Sequence, residues 1–222
     1  MGERRSGSLR MFFGLSFDRD DVFFGKLASR LGVIGVATFV TSLVAGAMSL
    51  ILFGSIPVPT FLGFTGLTVL FGAMFTSIAV SVSAMAASRM QAMAGAIGSY
   101  VLFVMLWHPI VGGIYYALNG ELVGYEAPTW YLIALRLNPL EAYNRGISIL
   151  IDQYLYGLIG WESIVEDIPP QKMRDGGLMV SERLGGELPF YLTEWVSPII
   201  LLAWIAVPIY IGYRRFERAD LN

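Results

Sequence analysis

The sequence contains no cysteine. That excludes disulfide bridges, thiolate metal sites and cysteine nucleophiles, and it leaves the redox compartment unread. There is one histidine, His108, so neither a histidine-based zinc site nor a His-Glu-x-x-His protease motif is expected, and no metal ligands are assigned. Charge is scarce: 14% of residues are charged, against about 25% in a soluble domain. The formal net charge of -2 gives no electrostatic argument for a nucleic-acid partner. No phosphate-binding loop occurs, because Gly25-Lys26-Leu27 lacks both the earlier glycine and the hydroxyl that would hold magnesium. No Gly-x-Ser-x-Gly nucleophile elbow occurs either. The N-terminus lacks the apolar core and small-residue cleavage site of a signal peptide.

What is present is hydrophobic: 55% of the 222 residues. The few charges gather between long stretches that have none, a pattern expected when lipid is the solvent for part of the chain. Four apolar runs fall at 31–56, 61–87, 92–118 and 196–213. Each is long enough to cross a hydrocarbon core of about 30 Å at about 1.5 Å per residue. Backbone in lipid must satisfy its own hydrogen bonds, so the runs are predicted to be helices. The fold class is therefore an all-α integral membrane protein with four transmembrane helices. Pro57 and Pro59 leave a short link between the first two. Ala73, Ser77 and Ser81 recur every four residues in the second, which predicts close helix approach.

Basic residues orient the spans. Arg4, Arg5, Arg10, Arg19, Lys26 and Arg30 precede the first, Arg89 separates the second and third, and Arg214, Arg215 and Arg218 follow the fourth. The positive-inside rule places these regions in the cytoplasm. Four crossings also put residues 1–30 and the tail 214–222 on the same side. Residues 119–195, with eleven acidic and five basic side chains, are then expected outside.

Residues 1–30 form a patterned cytoplasmic arm. Leu9, Phe12 and Phe13 share one helix face. Asp18 is placed to cap a second helix, with Asp20 and Asp21 in its first turn. Phe23 and Leu27 lie on one side of that helix, which leads into the first span. By periodicity alone the arm fits an interfacial anchor or a docking platform equally well.

In the region 119–195, Trp130–Leu155 is apolar and aromatic but broken at Asn138-Pro139. It reads as two short helices entering the outer leaflet, with Trp130, Tyr131 and Tyr143 suited to the interface. Residues 162–187 carry Pro169-Pro170, Gly176-Gly177 and Gly185-Gly186, which predict a mobile external loop. Glu166-Asp167 is expected to be solvated there. His108 precedes Pro109 inside the third span. It is either a functional intramembrane group, such as a translocation-path residue, or a neutral imidazole bonded to a carbonyl that Pro109 frees.

Several segments, in order, carry a family resemblance. They are Glu3-Arg-Arg-Ser-Gly7-Ser-Leu-Arg, Leu15-Ser-Phe-Asp-Arg19-Asp-Asp21, Gly25-Lys26, Ser83-Ala-Met-Ala-Ala-Ser-Arg89, Leu137-Asn-Pro-Leu-Glu-Ala-Tyr143 and Arg214-Arg-Phe-Glu-Arg-Ala-Asp220. Together they resemble the type-2 ABC transporter permease family over most of the chain. The resemblance implies that the arm is a coupling helix docking on a separate ATPase subunit, with Glu3, Gly7, Arg19 and Lys26 at the matching positions. It implies re-entrant outer helices, a second permease chain as partner in a homo- or heterodimer, and location in the plasma membrane. It also implies an exporter with no cofactor of its own, ATP and magnesium being held by the ATPase. Ser16 stands where the family has proline. The family normally has two further membrane helices ahead of the arm, so the chain resembles a permease without them. The rival readings are a non-transporting membrane scaffold or assembly subunit, and a membrane-embedded enzyme using His108.

Overall fold

The computed structural model describes residues 19–151, 160–174, 179–184 and 187–218. Four long helices dominate it. Helix α1 spans Arg19–Phe53, α2 Val58–Met85, α3 Arg89–Asn119 and α9 Ser197–Arg218. All four are long and apolar enough to cross a membrane, so the chain is an all-α membrane protein. Between α3 and α9 lie β1 (Val123–Gly124), α4 (Thr129–Arg136), α5 (Pro139–Ile151), α6 (Glu162–Val165), β2 (Glu166–Asp167), α7 (Pro170–Arg174) and α8 (Val180–Arg183).

Local chemistry sets the helix ends. Gly54 follows α1 at φ 72°, a left-handed stop that a side chain would oppose. Pro57 and Pro59 frame the start of α2, where a missing N–H costs no intrahelical bond. Ser88 caps α3: its hydroxyl accepts from Gln91 N at 3.2 Å, while Gln91 Oε1 accepts from Ala87 N at 3.0 Å. Gly120, at φ 78°, ends α3.

Helix α1 has 35 residues, a length of about 52 Å, so it exceeds a hydrocarbon core by about 20 Å. The excess is the charged stretch from Arg19 to Arg30. The second helix of the arm thus continues into the first span as one helix. Phe23 and Leu27, predicted to share a face, are both buried. Phe23 lies 5.8 Å from the ring of Tyr213 and 5.9 Å from that of Phe216. The start of α1 and the end of α9 therefore meet on one side of the bundle. The elements between α3 and α9 occupy the opposite, loop side.

Helix α2 is the central post. Its Ser77 and Ser81 are buried, and Gly212 of α9 lies so close that a Cβ on it would fall 2.7 Å from Ser81 Cα. The predicted small-residue stripe is a helix–helix contact, as small side chains permit. Helix α5 lies antiparallel beside the loop-side half of α2. Tyr143 stacks on Phe71 at 4.5 Å, and its hydroxyl meets Thr68 Oγ1 at 3.0 Å. Gly146 faces Leu67 and Leu150 faces Gly63.

Of residues 162–187, expected to be a mobile loop, Gly176-Gly177 and Gly185-Gly186 lie outside the described residues. Among the described residues the segment is packed in part, while residues 169–172 are exposed. Glu162, Glu166, Val180 and Arg183 are all buried, and Val180 joins Val111, Val123, Tyr131, Leu132, Leu135 and Leu192 in one apolar core.

Candidate functional site

Asn138-Pro139 makes the sharp turn of a helical hairpin formed by α4 and α5. Pro139 opens α5. Asn138 Oδ1 accepts from Leu140 N at 2.8 Å, and the Asn138 carbonyl accepts from Ala142 N at 2.9 Å. This is an asparagine N-cap with proline at the first helical position. The turn reaches deep into the bundle. Asn138 Nδ2 donates to the Phe103 carbonyl at 2.7 Å, and Trp204 Nε1 donates to the Leu137 carbonyl at 2.8 Å. Phe103 lies 16 residues before the end of α3, about halfway along it. Over the described residues, the two short helices expected from the sequence form a helical hairpin whose tip packs against the middle of α3.

The receptor for that tip is a defect in α3. Residues Leu102–Leu106 form a π-turn, with Trp107 N bonded to the Leu102 carbonyl. Pro109 has no N–H to give the preceding turn, and the π-turn lies just ahead of it. Asn138 Nδ2 donates to the Phe103 carbonyl inside that π-turn, and His108 Nε2 makes no hydrogen bond among the described residues. Trp107 Nε1 adds a second tie by donating to the Ala134 carbonyl at 2.9 Å.

Around the hairpin lies a buried charged network. Arg136 donates through Nη1 to the Leu192 carbonyl, and through Nη2 to the Thr193 carbonyl at 2.6 Å and Ser197 Oγ at 3.1 Å. It fastens the hairpin to the entry of α9. Arg145 Nε donates to Glu141 Oε1 at 2.6 Å, one turn apart on α5. The Arg183 guanidinium pairs with Glu166 Oε2 at 2.8 Å, and the Tyr131 hydroxyl donates to Glu166 Oε1, also at 2.8 Å. Glu166 was expected to be solvated. It is 5% exposed because β2 pairs in parallel with β1, Val123 opposite Glu166 and Gly124 opposite Asp167. Strand alternation then turns Glu166 inward and Asp167 outward. Burial raises the Glu166 carboxyl above its ordinary range, while Arg183 and the Tyr131 hydrogen bond work in the opposite direction. Burial, and then Glu166, push the Tyr131 hydroxyl up, so it remains a donor.

His108 faces this network. It is 8% exposed, and its Nε2 lies 3.9 Å from Glu162 Oε1. Together with Glu141 it completes a buried group whose potential ligand atoms all lie within 4.8 Å of one another. Of the other residues singled out from the sequence, Lys26 is exposed on α1, and Arg19 opens that helix two turns earlier. Glu3 and Gly7 lie outside the described residues. The structure therefore separates two regions, the α1–α9 contact at one end of the bundle and the hairpin network at the other. Asn138 was visible from the sequence as a break beside Pro139, but the roles of the buried Glu141, Arg136, Glu162 and Arg183 escaped the sequence reading. The helical spacing of Glu141 and Arg145 was the one local signal among those four.

Residues 1–221 match the family model described as ABC-2 family transporter protein. No curated protein matches the chain. Four apolar spans and a family match over nearly the whole length agree, and the chain belongs to the ABC-2 transporter family as a membrane-spanning permease component.

Proposed function

We propose that the chain is the permease subunit of an ABC exporter in the plasma membrane, with both ends of the chain in the cytoplasm and the hairpin outside. A separate ATPase subunit would dock on the arm through Glu3, Gly7, Arg19 and Lys26. It would hold the ATP and magnesium. Two permease chains, identical or different, would enclose the pathway. The supporting observation is the rigid joint between arm and bundle. Helix α1 runs unbroken from Arg19 into its membrane span, and Phe23 packs on Tyr213 and Phe216 of α9. A push on the arm would move two spans at once. Because α9 also packs on α2 through Gly212, the push would reach the central post and the hairpin seated on it.

His108 enters this proposal as a residue beside the pathway. Its network joins α3 to the hairpin, so a shift of either would change it. The test of docking is co-expression with a candidate ATPase subunit of the ABC class. Arg19→Glu and Glu3→Arg should each reduce co-purification and permease-dependent ATP turnover. Indifference of both quantities to both changes would overturn the docking assignment. ATP-driven accumulation of substrate in inside-out vesicles is expected for an exporter, and accumulation only in right-side-out vesicles would reverse the direction.

A further inference from the structure

We propose that His108, Glu141 and Glu162 form a binding site for one divalent transition-metal cation, which fastens α3, the hairpin and the loop-side lobe together. The three residues come from three separate elements, α3, α5 and α6, and all three are buried. Sequence distance does not bring them together; the packing of the hairpin does.

The His108 imidazole carries the inference. It is more than nine-tenths buried, and among the described residues its Nε2 has no hydrogen-bond partner. Buried polar atoms are normally satisfied. Here Nε2 is directed at a carboxylate oxygen 3.9 Å away, too far for a hydrogen bond. Two ligands each about 2.1 Å from a shared cation stand about 3.4 Å apart at a tetrahedral angle and about 4.2 Å apart when opposed. The separation from His108 to Glu162 falls in that interval. The third ligand atom, within 4.8 Å of the others, needs a movement of roughly half an ångström or more, within the reach of a glutamate side chain.

Beside the imidazole stand two buried carboxyl groups, those of Glu141 and Glu162, whose oxygens are hard donors for a divalent cation. Arg145, bonded to Glu141 at 2.6 Å, would act as the outer partner that orients a ligating carboxylate. Imidazole with two carboxylates is a donor set for zinc-like or manganese-like cations, not for a soft thiolate-seeking metal.

The test uses the full chain purified in detergent through a tag without histidine, stripped with a chelator and returned to Zn2+. The wild-type chain should retain about one Zn2+ per chain after desalting and gain thermal stability with added Zn2+. His108→Ala and Glu162→Gln should lose both. Because the chain has no native cysteine, His108→Cys provides a second readout: Cd2+ should give an ultraviolet thiolate-to-metal band that the wild type lacks. This variant carries the test if His108→Ala does not fold. Failure of the wild type to retain metal, equal retention by His108→Ala, or absence of the band in His108→Cys would each overturn the site. An imidazole that only titrates, with no metal retained, would also overturn it in favour of a proton.

Discussion

Asn138 and Phe103 are joined by a hydrogen bond of 2.7 Å from a side-chain amide to a backbone carbonyl, and that bond places the tip of the hairpin in the π-turn of α3. The same side chain caps α5 through Leu140 N. One residue thus caps the start of one helix and donates to a π-turn carbonyl of another. Asn138→Ala should lose a cap worth about 1 kcal/mol and leave a buried carbonyl unsatisfied at about 1–3 kcal/mol. Thermal unfolding in detergent should show a clear drop relative to a control at the exposed Glu121. An unchanged midpoint would remove the hairpin tip as a structural anchor.

Gly212 is the second such point. A Cβ there would lie 2.7 Å from Ser81 Cα, and backbone cannot yield as a long side chain can. Gly212→Leu should force α9 from α2 and destabilise the bundle by about 1–3 kcal/mol. Cross-linking between cysteines introduced on α2 and α9 should fall in parallel. Equal cross-linking yield in parent and variant would contradict the close contact.

The buried pair of Arg183 and Glu166 should behave asymmetrically. Arg183→Met strands a buried carboxylate and is expected to cost about 3–5 kcal/mol. Arg183→Met with Glu166→Leu removes both charges, and the double variant should recover much of that loss. Limited proteolysis of the loop-side lobe would read the order. If the double variant is cleaved faster than Arg183→Met, the pair is not the buried unit described.

Glu166 also sets a pH dependence. Burial raises its carboxyl above the ordinary glutamate value despite Arg183, so folding takes up a proton there. The corresponding stability is fully present below the ordinary glutamate pKa and is lost as pH rises through the raised one. Glu166→Gln keeps an acceptor for Tyr131 but cannot titrate. The thermal midpoint of the wild type should therefore decline relative to that of Glu166→Gln from acid toward neutral pH. A constant offset between the two would exclude this contribution.

Phe23 and Tyr213 test the joint between arm and bundle. Their rings, 5.8 Å apart, are expected to contribute about 0.5–1.5 kcal/mol beyond their burial. Phe23→Ala and Tyr213→Ala should be less than additive in stability. With the ATPase co-expressed, each should lower substrate transport more than it lowers co-purification. Loss of both in equal measure would show that the joint holds the docking surface and does not relay its motion.

The spans were legible because lipid imposes a composition. A charge in hydrocarbon costs more than local propensity can offset, so the runs before Phe53 and after Val58 identify themselves. The turn at Asn138-Pro139 was legible too, since proline cannot continue a helix without losing a bond. Glu166 was misread because an acidic residue among prolines and glycines ordinarily faces water. Its burial depends on a two-residue strand paired with Val123 and on Arg183, partners 43 and 17 residues away in sequence.

The amino-acid sequence by itself determined the membrane class, the number of spans and the break that makes the hairpin, because each depends on residues within one turn or one run of the chain. Tertiary structure alone decided that the hairpin tip enters a π-turn, that Glu141, Glu162 and Glu166 are buried, and that His108 faces them. Those outcomes follow from packing between elements far apart in sequence, where desolvation and pairing are settled only after the helices have met.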